Sequence, residues 1–193
     1  MRKSVLVAIL AGSLATPALA QDAAPFSGLR VEALAGYDRA AVEGSDSDGV
    51  AYGVGVGYDV QNGGTVFGVE AEATESTVKE CVGGAVDTGD ELCAKAGRDL
   101  YVGGRVGAVV GTGTLLYAKA GYTNSRLNLD YDDGTAGGAA NFSESSNLDG
   151  VRVGAGAEFA IGANAFAKAE YRYSNYEQDF AKHQGLVGLG FRF

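Results

Sequence analysis

The stretch Gly49-Val50-Ala51-Tyr52-Gly53-Val54-Gly55-Val56-Gly57-Tyr58-Asp59-Val60, then Gln61-Asn62-Gly63-Gly64, then Thr65-Val66-Phe67-Gly68-Val69-Glu70-Ala71-Glu72-Ala73, decides the fold. Apolar side chains recur at every second position on both sides of Asn-Gly, and a period of two is the mark of a strand. Asn-Gly between two such runs signals a hairpin, because the tight turn that matches strand twist needs φ > 0 at both central residues. One face of the hairpin carries Val50, Tyr52, Val54, Val56, Tyr58, Phe67, Val69, Ala71 and Ala73. The other carries glycines together with Asp59, Glu70 and Glu72.

Working outward, the same alternation predicts strands at 29–39, 49–60, 65–75, 99–110, 114–125, 149–160, 165–175 and 183–193. Each has 11 or 12 residues, close to the ~9–11 that a tilted strand needs to cross a bilayer. The connections alternate in length. Gln61-Asn62-Gly63-Gly64, Gly111-Thr112-Gly113 and Ile161-Gly162-Ala163-Asn164 are short, whereas 40–48, 76–98, 126–148 and 176–182 are long and polar. Tight turns at one end and long loops at the other are the layout of an outer-membrane barrel, with periplasmic turns and extracellular loops. The expected fold is therefore all-β: an eight-stranded antiparallel up-and-down transmembrane barrel with four long extracellular loops.

The charges indicate which face is inside. On the polar parity stand the acids Glu32, Asp38, Asp59, Glu70, Glu72, Glu158 and Glu170 and the bases Arg30, Arg105, Lys119, Arg152, Lys168, Arg172 and Arg192, seven against seven. A soluble barrel would expose this face, and its charges would have no reason to cancel. A narrow lumen desolvates them and demands pairing. The mid-strand part of this set is expected to form the lumen network: Arg30, Glu32, Glu70, Glu72, Arg105, Lys119, Arg152, Glu158, Lys168, Glu170 and Arg172. Glycines on the same parity leave room for long side chains. On the apolar parity, Tyr58, Phe67, Phe159, Phe191 and Phe193 lie near the short turns, and Tyr37, Tyr52, Tyr122 and Tyr173 near the long loops. Two aromatic girdles are expected at the two membrane interfaces.

Composition narrows the functions. The chain has 193 residues, 31 glycines, one histidine, no tryptophan and a net charge of −9. An acidic chain without basic runs is not a nucleic-acid binder, and one histidine cannot build a multi-histidine metal centre. Arg2 and Lys3, the apolar stretch from Ser4 to Leu14 and the small-residue site Ala18-Leu19-Ala20 read as a secretory signal peptide, residues 1–20, ahead of a barrel domain at 21–193. Its removal takes away two positive charges and no acid, so the mature balance is −11. Export suits Cys81 and Cys93, which read as a local disulfide in the second long loop, away from the sheet.

No catalytic constellation, cofactor motif or metal site emerges, and the chain is read as non-enzymatic. Ser174 and His183 on neighbouring strands are the nearest approach to a nucleophile and base, without an oxyanion element. Glu70 and Glu72 read as ion-pair partners rather than a glycosidase pair. The acidic run Asp130-Tyr131-Asp132-Asp133 reads as a solvated loop, although it could take divalent cations beside lipopolysaccharide phosphates; it has no EF-hand spacing.

Several motifs resemble the OmpA-like family of eight-stranded outer-membrane β-barrels, above all its small alphaproteobacterial members, often called porin-family β-barrel proteins. They are Gly28-Leu29-Arg30-Val31-Glu32-Ala33, Gly36-Tyr37-Asp38-Arg39, Leu116-Tyr117-Ala118-Lys119-Ala120-Gly121-Tyr122, Lys168-Ala169-Glu170-Tyr171-Arg172-Tyr173-Ser174 and the ending Leu189-Gly190-Phe191-Arg192-Phe193. The last strand resembles the signal read by the barrel-assembly machinery at Gly188, Phe191 and Phe193, with Leu186 where a polar residue is usual. The family's peptidoglycan-binding domain is not matched, so that anchoring is not carried over. The implied partners are outer-membrane lipid, lipopolysaccharide and the assembly machinery, with no nucleic acid. The expected role is structural and surface-presenting. A narrow diffusion pore is the alternative, ahead of an outer-membrane enzyme or adhesin.

Overall fold

The structure is a computed structural model that describes residues 24–42, 45–84, 89–134, 141–177 and 180–193. The expected signal peptide lies outside the described residues. Nine strands are present among them: β1 Gly28–Val42, β2 Ser45–Asn62, β3 Thr65–Ser76, β4 Lys79–Gly83, β5 Glu91–Val110, β6 Thr114–Asp132, β7 Phe142–Ile161, β8 Ala165–Tyr176 and β9 Ala181–Arg192. Every ladder is antiparallel.

Eight of these strands close into a ring. β1 pairs β2, β2 pairs β3, β3 pairs β5, and the order then runs through β6, β7, β8 and β9 back to β1. The closing ladder runs from Arg30 opposite Arg192 to Ala41 opposite Ala181. Closure matters because bilayer hydrocarbon offers no water to an unpaired backbone group, and a closed barrel leaves no edge. The short turns carry left-handed glycines where the chain must reverse, Gly63 at φ 58° and Gly111 at φ 67°.

The long loops are the main departure from the sequence reading. Much of 40–48, 76–98, 126–148 and 176–182 is paired strand. β5 and β7 each run 20 residues and β6 runs 19, well beyond what the bilayer requires. The alternation continues past the membrane through Leu127, Leu129 and Tyr131, and cross-strand contacts hold the extensions in water. Lys95 Nζ donates to Asp130 Oδ2 at 2.8 Å, Ser143 Oγ to Asp130 Oδ1 at 2.6 Å, and the Tyr131 ring stacks on Phe142 at 5.4 Å. β4 is a short continuation of the β3 side that pairs with the upper part of β5. A bulge between Ala96 and Asp99 places one extra residue on β5 and shifts its register with β6 by one.

Cys81 and Cys93 form a disulfide. It does not sit in a loop away from the sheet, as the polar composition of 76–98 suggested. The two cysteines face each other across the β4–β5 ladder, with Cα atoms 4.1 Å apart. The bond therefore clamps an extension of the barrel wall.

Candidate functional site

Exposure inverts the rule for a soluble protein. Val54, Val69 and Leu189 are 60%, 65% and 67% exposed, while Arg30, Arg152 and Arg172 are fully buried. A wall with aliphatic side chains outside and charges inside is stable only where hydrocarbon surrounds it. The aromatic positions follow: Tyr58, Phe67, Phe159, Phe191 and Phe193 project outward near the short turns, and Tyr37, Tyr52 and Tyr122 near the long hairpins.

All eleven residues expected in the lumen network are buried in the bore. Asp38, Asp59 and Arg192, placed on the same parity, join them. So do Asp99 and Lys182, which the sequence reading did not single out. The bore thus carries eight carboxylates and eight cations among the described residues. Near the short turns, Asp59 takes Arg105 Nη2 at 2.6 Å, Arg30 Nε at 3.1 Å and Arg192 Nη1 at 3.2 Å. Glu158 bridges Arg105 at 3.0 Å and Arg192 at 2.5 Å. Arg30 also pairs with Glu70 and, at 3.0 Å, with Glu32.

At mid-height, Lys119 Nζ meets Glu70 and Glu72, each at 2.7 Å, and Glu170 at 3.0 Å. Lys168 joins Glu32 at 2.8 Å to Glu170 at 3.3 Å, and Arg172 pairs with Glu72. Toward the long hairpins, Asp99 takes Arg152 at 2.6 Å and Lys182 at 3.4 Å, and Lys182 reaches Asp38 at 3.2 Å. The contacts run without a break from Arg192 to Asp38. Glycine makes the space: a Cβ on Gly57 would fall 2.7 Å from Arg30 Nη2, and one on Gly103 would fall 2.1 Å from the Tyr101 hydroxyl.

Both ends of the bore are apolar. Phe26, Val66, Leu115 and Tyr117 cluster at the short-turn mouth, where the segment before β1 folds inward and Phe26 N–H donates to Gln61 Oε1 at 3.1 Å. At the other mouth, Val78, Ala96, Leu148, Tyr176 and Phe180 pack together with Leu127. Neither stopper was read from the sequence. Asp99 could have been, since it shares parity with Arg105. The inward placement of Lys182 follows from continuing β9 two residues below Gln184.

The other residues singled out by their chemistry do not come together. Ser174 points into the bore and accepts from Arg152 Nε at 2.7 Å. His183 stands outside, with Nδ1 2.7 Å from the Tyr171 hydroxyl and its ring 4.9 Å from that of Tyr173. The two therefore lie on opposite faces of the wall. Within 130–133, Asp130 is engaged by Lys95 and Ser143, and Asp132 accepts from the Gly134 N–H at 3.0 Å. Phe191 and Phe193 face outward, and Gly188 faces inward beside Leu34 and Lys168. Phe193 N–H donates to the Leu29 carbonyl at 2.8 Å, which ties the last residue to the first strand. Leu186 is buried on the inward face.

Apolar exterior, paired interior and hydrogen-bonded closure define an integral β-barrel of the outer membrane. The chain belongs to the family described as the outer membrane protein β-barrel domain, whose model matches residues 6–193. A 22 kDa outer membrane protein of Rhizobium leguminosarum bv. viciae is 31% identical over 150 residues, covering 75% of this chain and 64% of that relative. The chain thus spans somewhat less than two thirds of the length of that protein. Among solved structures, Neisserial surface protein A matches with TM-score 0.60 at 17% identity, covering 86% of this chain and 98% of its own. Ail, the attachment invasion locus protein of Yersinia pestis, matches in its complex with the heparin analogue sucrose octasulfate. That match has TM-score 0.57 at 20% identity and covers 86% of this chain and 99% of Ail.

Proposed function

We propose that the chain is a structural and surface protein of the outer membrane: a sealed barrel that packs the bilayer and holds four acidic hairpins outside the cell. The observation that carries this reading is the unbroken set of ion pairs along the bore, stoppered by an apolar cluster at each mouth. Eight-stranded barrels have interiors just wide enough for side chains to fill. An ion crossing this one would have to break several buried pairs in succession. Single-channel recording of the purified barrel in planar bilayers tests the reading. No discrete conductance steps above the bare bilayer are expected; regular openings would establish the narrow-pore alternative instead.

Export by a cleaved signal at residues 1–20 and insertion by the barrel-assembly machinery through Gly188, Phe191 and Phe193 complete this reading. The position of the last strand supports it, with its aromatics on the lipid side. The polysulfated ligand of Ail does not transfer to this chain. Its outer hairpins carry Asp132, Asp133 and Glu144, which repel a polyanion. Contact with lipopolysaccharide is assigned instead to the outward wall.

A further inference from the structure

Beyond the bilayer the inward parity changes character. Inside the membrane it carries the charges of the bore. Along β4, β5, β6 and β7 above the stopper it carries apolar side chains in water. Leu127, packed on the stopper, is followed on the same side of β6 by Leu129 and Tyr131. The ladders place Glu80, Ala94 and Glu144 level with Leu129, and Val82, Leu92 and Phe142 level with Tyr131. These two rows are not covered: Val82, Leu129 and Phe142 are 57%, 43% and 52% exposed. The opposite parity at the same height is polar, with Lys95, Asp130 and Ser143 joined to one another. The β7–β8 ladder stops at Gly150, so the apolar face is accessible from the β7 side. An apolar sheet face left in water marks an interaction site.

We infer that this face receives one cationic amphipathic α-helix, two to three turns long, presented by a polypeptide outside the cell. Size, charge and direction select that occupant. Four strands span about 14 Å, and the rows from Leu127 to Tyr131 rise about 13 Å. A helix is about 10–12 Å across with its side chains, so one fits and two do not. Its apolar face would lie on Leu129, Val82 and Phe142, as in other helix-on-groove contacts. Glu80 and Glu144 stand at opposite edges of one row, about 14 Å apart across three strand spacings, where they meet cations at the two ends of the helix. Ser47 Oγ donates to Glu80 Oε2 at 2.6 Å, which leaves the carboxylate its charge. Among the described residues of β4 to β7, this parity above the stopper bears no lysine or arginine. A second copy does not serve as the occupant. The face looks over the mouth of its own bore, so two barrels in one membrane cannot bring these faces together, and contact between them would oppose glutamate to glutamate.

The inference deepens the surface-presenting part of the proposed function and rests on that reading, with the long hairpins outside; it does not depend on whether the bore conducts. The mature chain in phosphatidylcholine nanodiscs is titrated with a fluorescent 14-residue helix of leucine and lysine, and separately with the same helix carrying glutamate for lysine. Anisotropy reports binding, and empty nanodiscs give the lipid contribution to be subtracted. Wild type should bind the lysine helix at least tenfold more tightly than the glutamate helix. Glu144→Gln should weaken the lysine helix about threefold, the worth of one exposed ion pair. Glu80→Lys with Glu144→Lys should reverse the preference between the two helices. Leu129→Ser with Phe142→Ser should weaken the lysine helix at least tenfold, because two apolar side chains no longer leave water on binding. Gel mobility that shifts on heating verifies folding, and if the serine pair does not fold, the lysine pair decides. Equal binding of the two helices by wild type, or wild-type binding of the lysine helix by the lysine pair, would overturn the assignment. So would two barrels per disc that separate when the lysine helix is added, which would name a second copy as the occupant. Each of these results leaves the sealed-barrel reading, tested by conductance, intact.

Discussion

Replacing Glu72 by glutamine probes the network where it is most densely connected. Its carboxylate, 1% exposed, meets Lys119 at 2.7 Å, Arg152 at 3.8 Å and Lys168 at 3.9 Å, and pairs with Arg172. At an effective dielectric near 20, the Lys119 contact alone has a gross Coulomb energy of about 6 kcal/mol. Most of that is offset by the desolvation of both groups on folding. Glutamine has the same shape and keeps some hydrogen bonds, yet it leaves four cations around a neutral group. Removing one member of a buried pair costs about 3–5 kcal/mol, because the partner's charge stays buried. We therefore expect Glu72→Gln to lose about 3–5 kcal/mol in urea unfolding within lipid vesicles, with an unchanged slope. The chain has no tryptophan, so circular dichroism and heat-dependent gel mobility provide the readout. Glu72→Gln combined with Lys119→Met should cost less than the two single losses added, since both sides of one contact disappear together. A single variant within about 1 kcal/mol of wild type would refute the reasoning. It would mean that water enters the bore and screens the charges.

Further outcomes follow from other parts of the molecule. Phe193→Asp places a charge on the lipid side of the closing strand and should deplete heat-modifiable protein from the outer-membrane fraction; normal levels there would contradict the assembly role. Phe26→Ala, at a side chain 1% exposed, should cost about 3–5 kcal/mol in the same urea assay while single-channel recordings stay silent, because the ion pairs still fill the bore. Cys81→Ser with Cys93→Ser releases a closed loop worth roughly 3 kcal/mol in the chain-entropy model. Faster amide exchange should appear in β4 and upper β5 and not in β1, β8 or β9. Hydrogen bonds from Lys95 and then Ser143 hold the Asp130 carboxyl below its ordinary 3.8. A depressed acid contributes fully above its ordinary value and loses the contribution as pH falls through the lowered one. Exchange protection of the β6–β7 hairpin should therefore be flat from pH 7 to about 5 and fall only in stronger acid, and Asp130→Asn should remove that dependence.

The wall of this barrel is written in its sequence, because strand parity is local. A period of two assigns each of Val50 to Tyr58 and Phe67 to Ala73 to a side without reference to the rest of the chain, and glycine-bearing turns set the hairpins. The balance of charge on one parity then says which side is inside, since only a desolvated face requires cancellation. The partners of each charge were not legible. Arg30 meets Asp59 from β2 and Glu70 from β3, and Lys119 meets Glu170 from β8. Such contacts across the bore depend on the tilt and stagger at which the strands close, which no single segment encodes. The extent of the hairpins was hidden for a related reason. Polar segments such as 142–147 carry no alternating apolar signal, and they become strand only because a neighbour offers a complete row of backbone partners. The stoppers at the mouths likewise depend on closure. Phe26, Phe180 and Leu148 lie far apart in the chain, and the apolar surroundings that bury them exist only once the ring has formed.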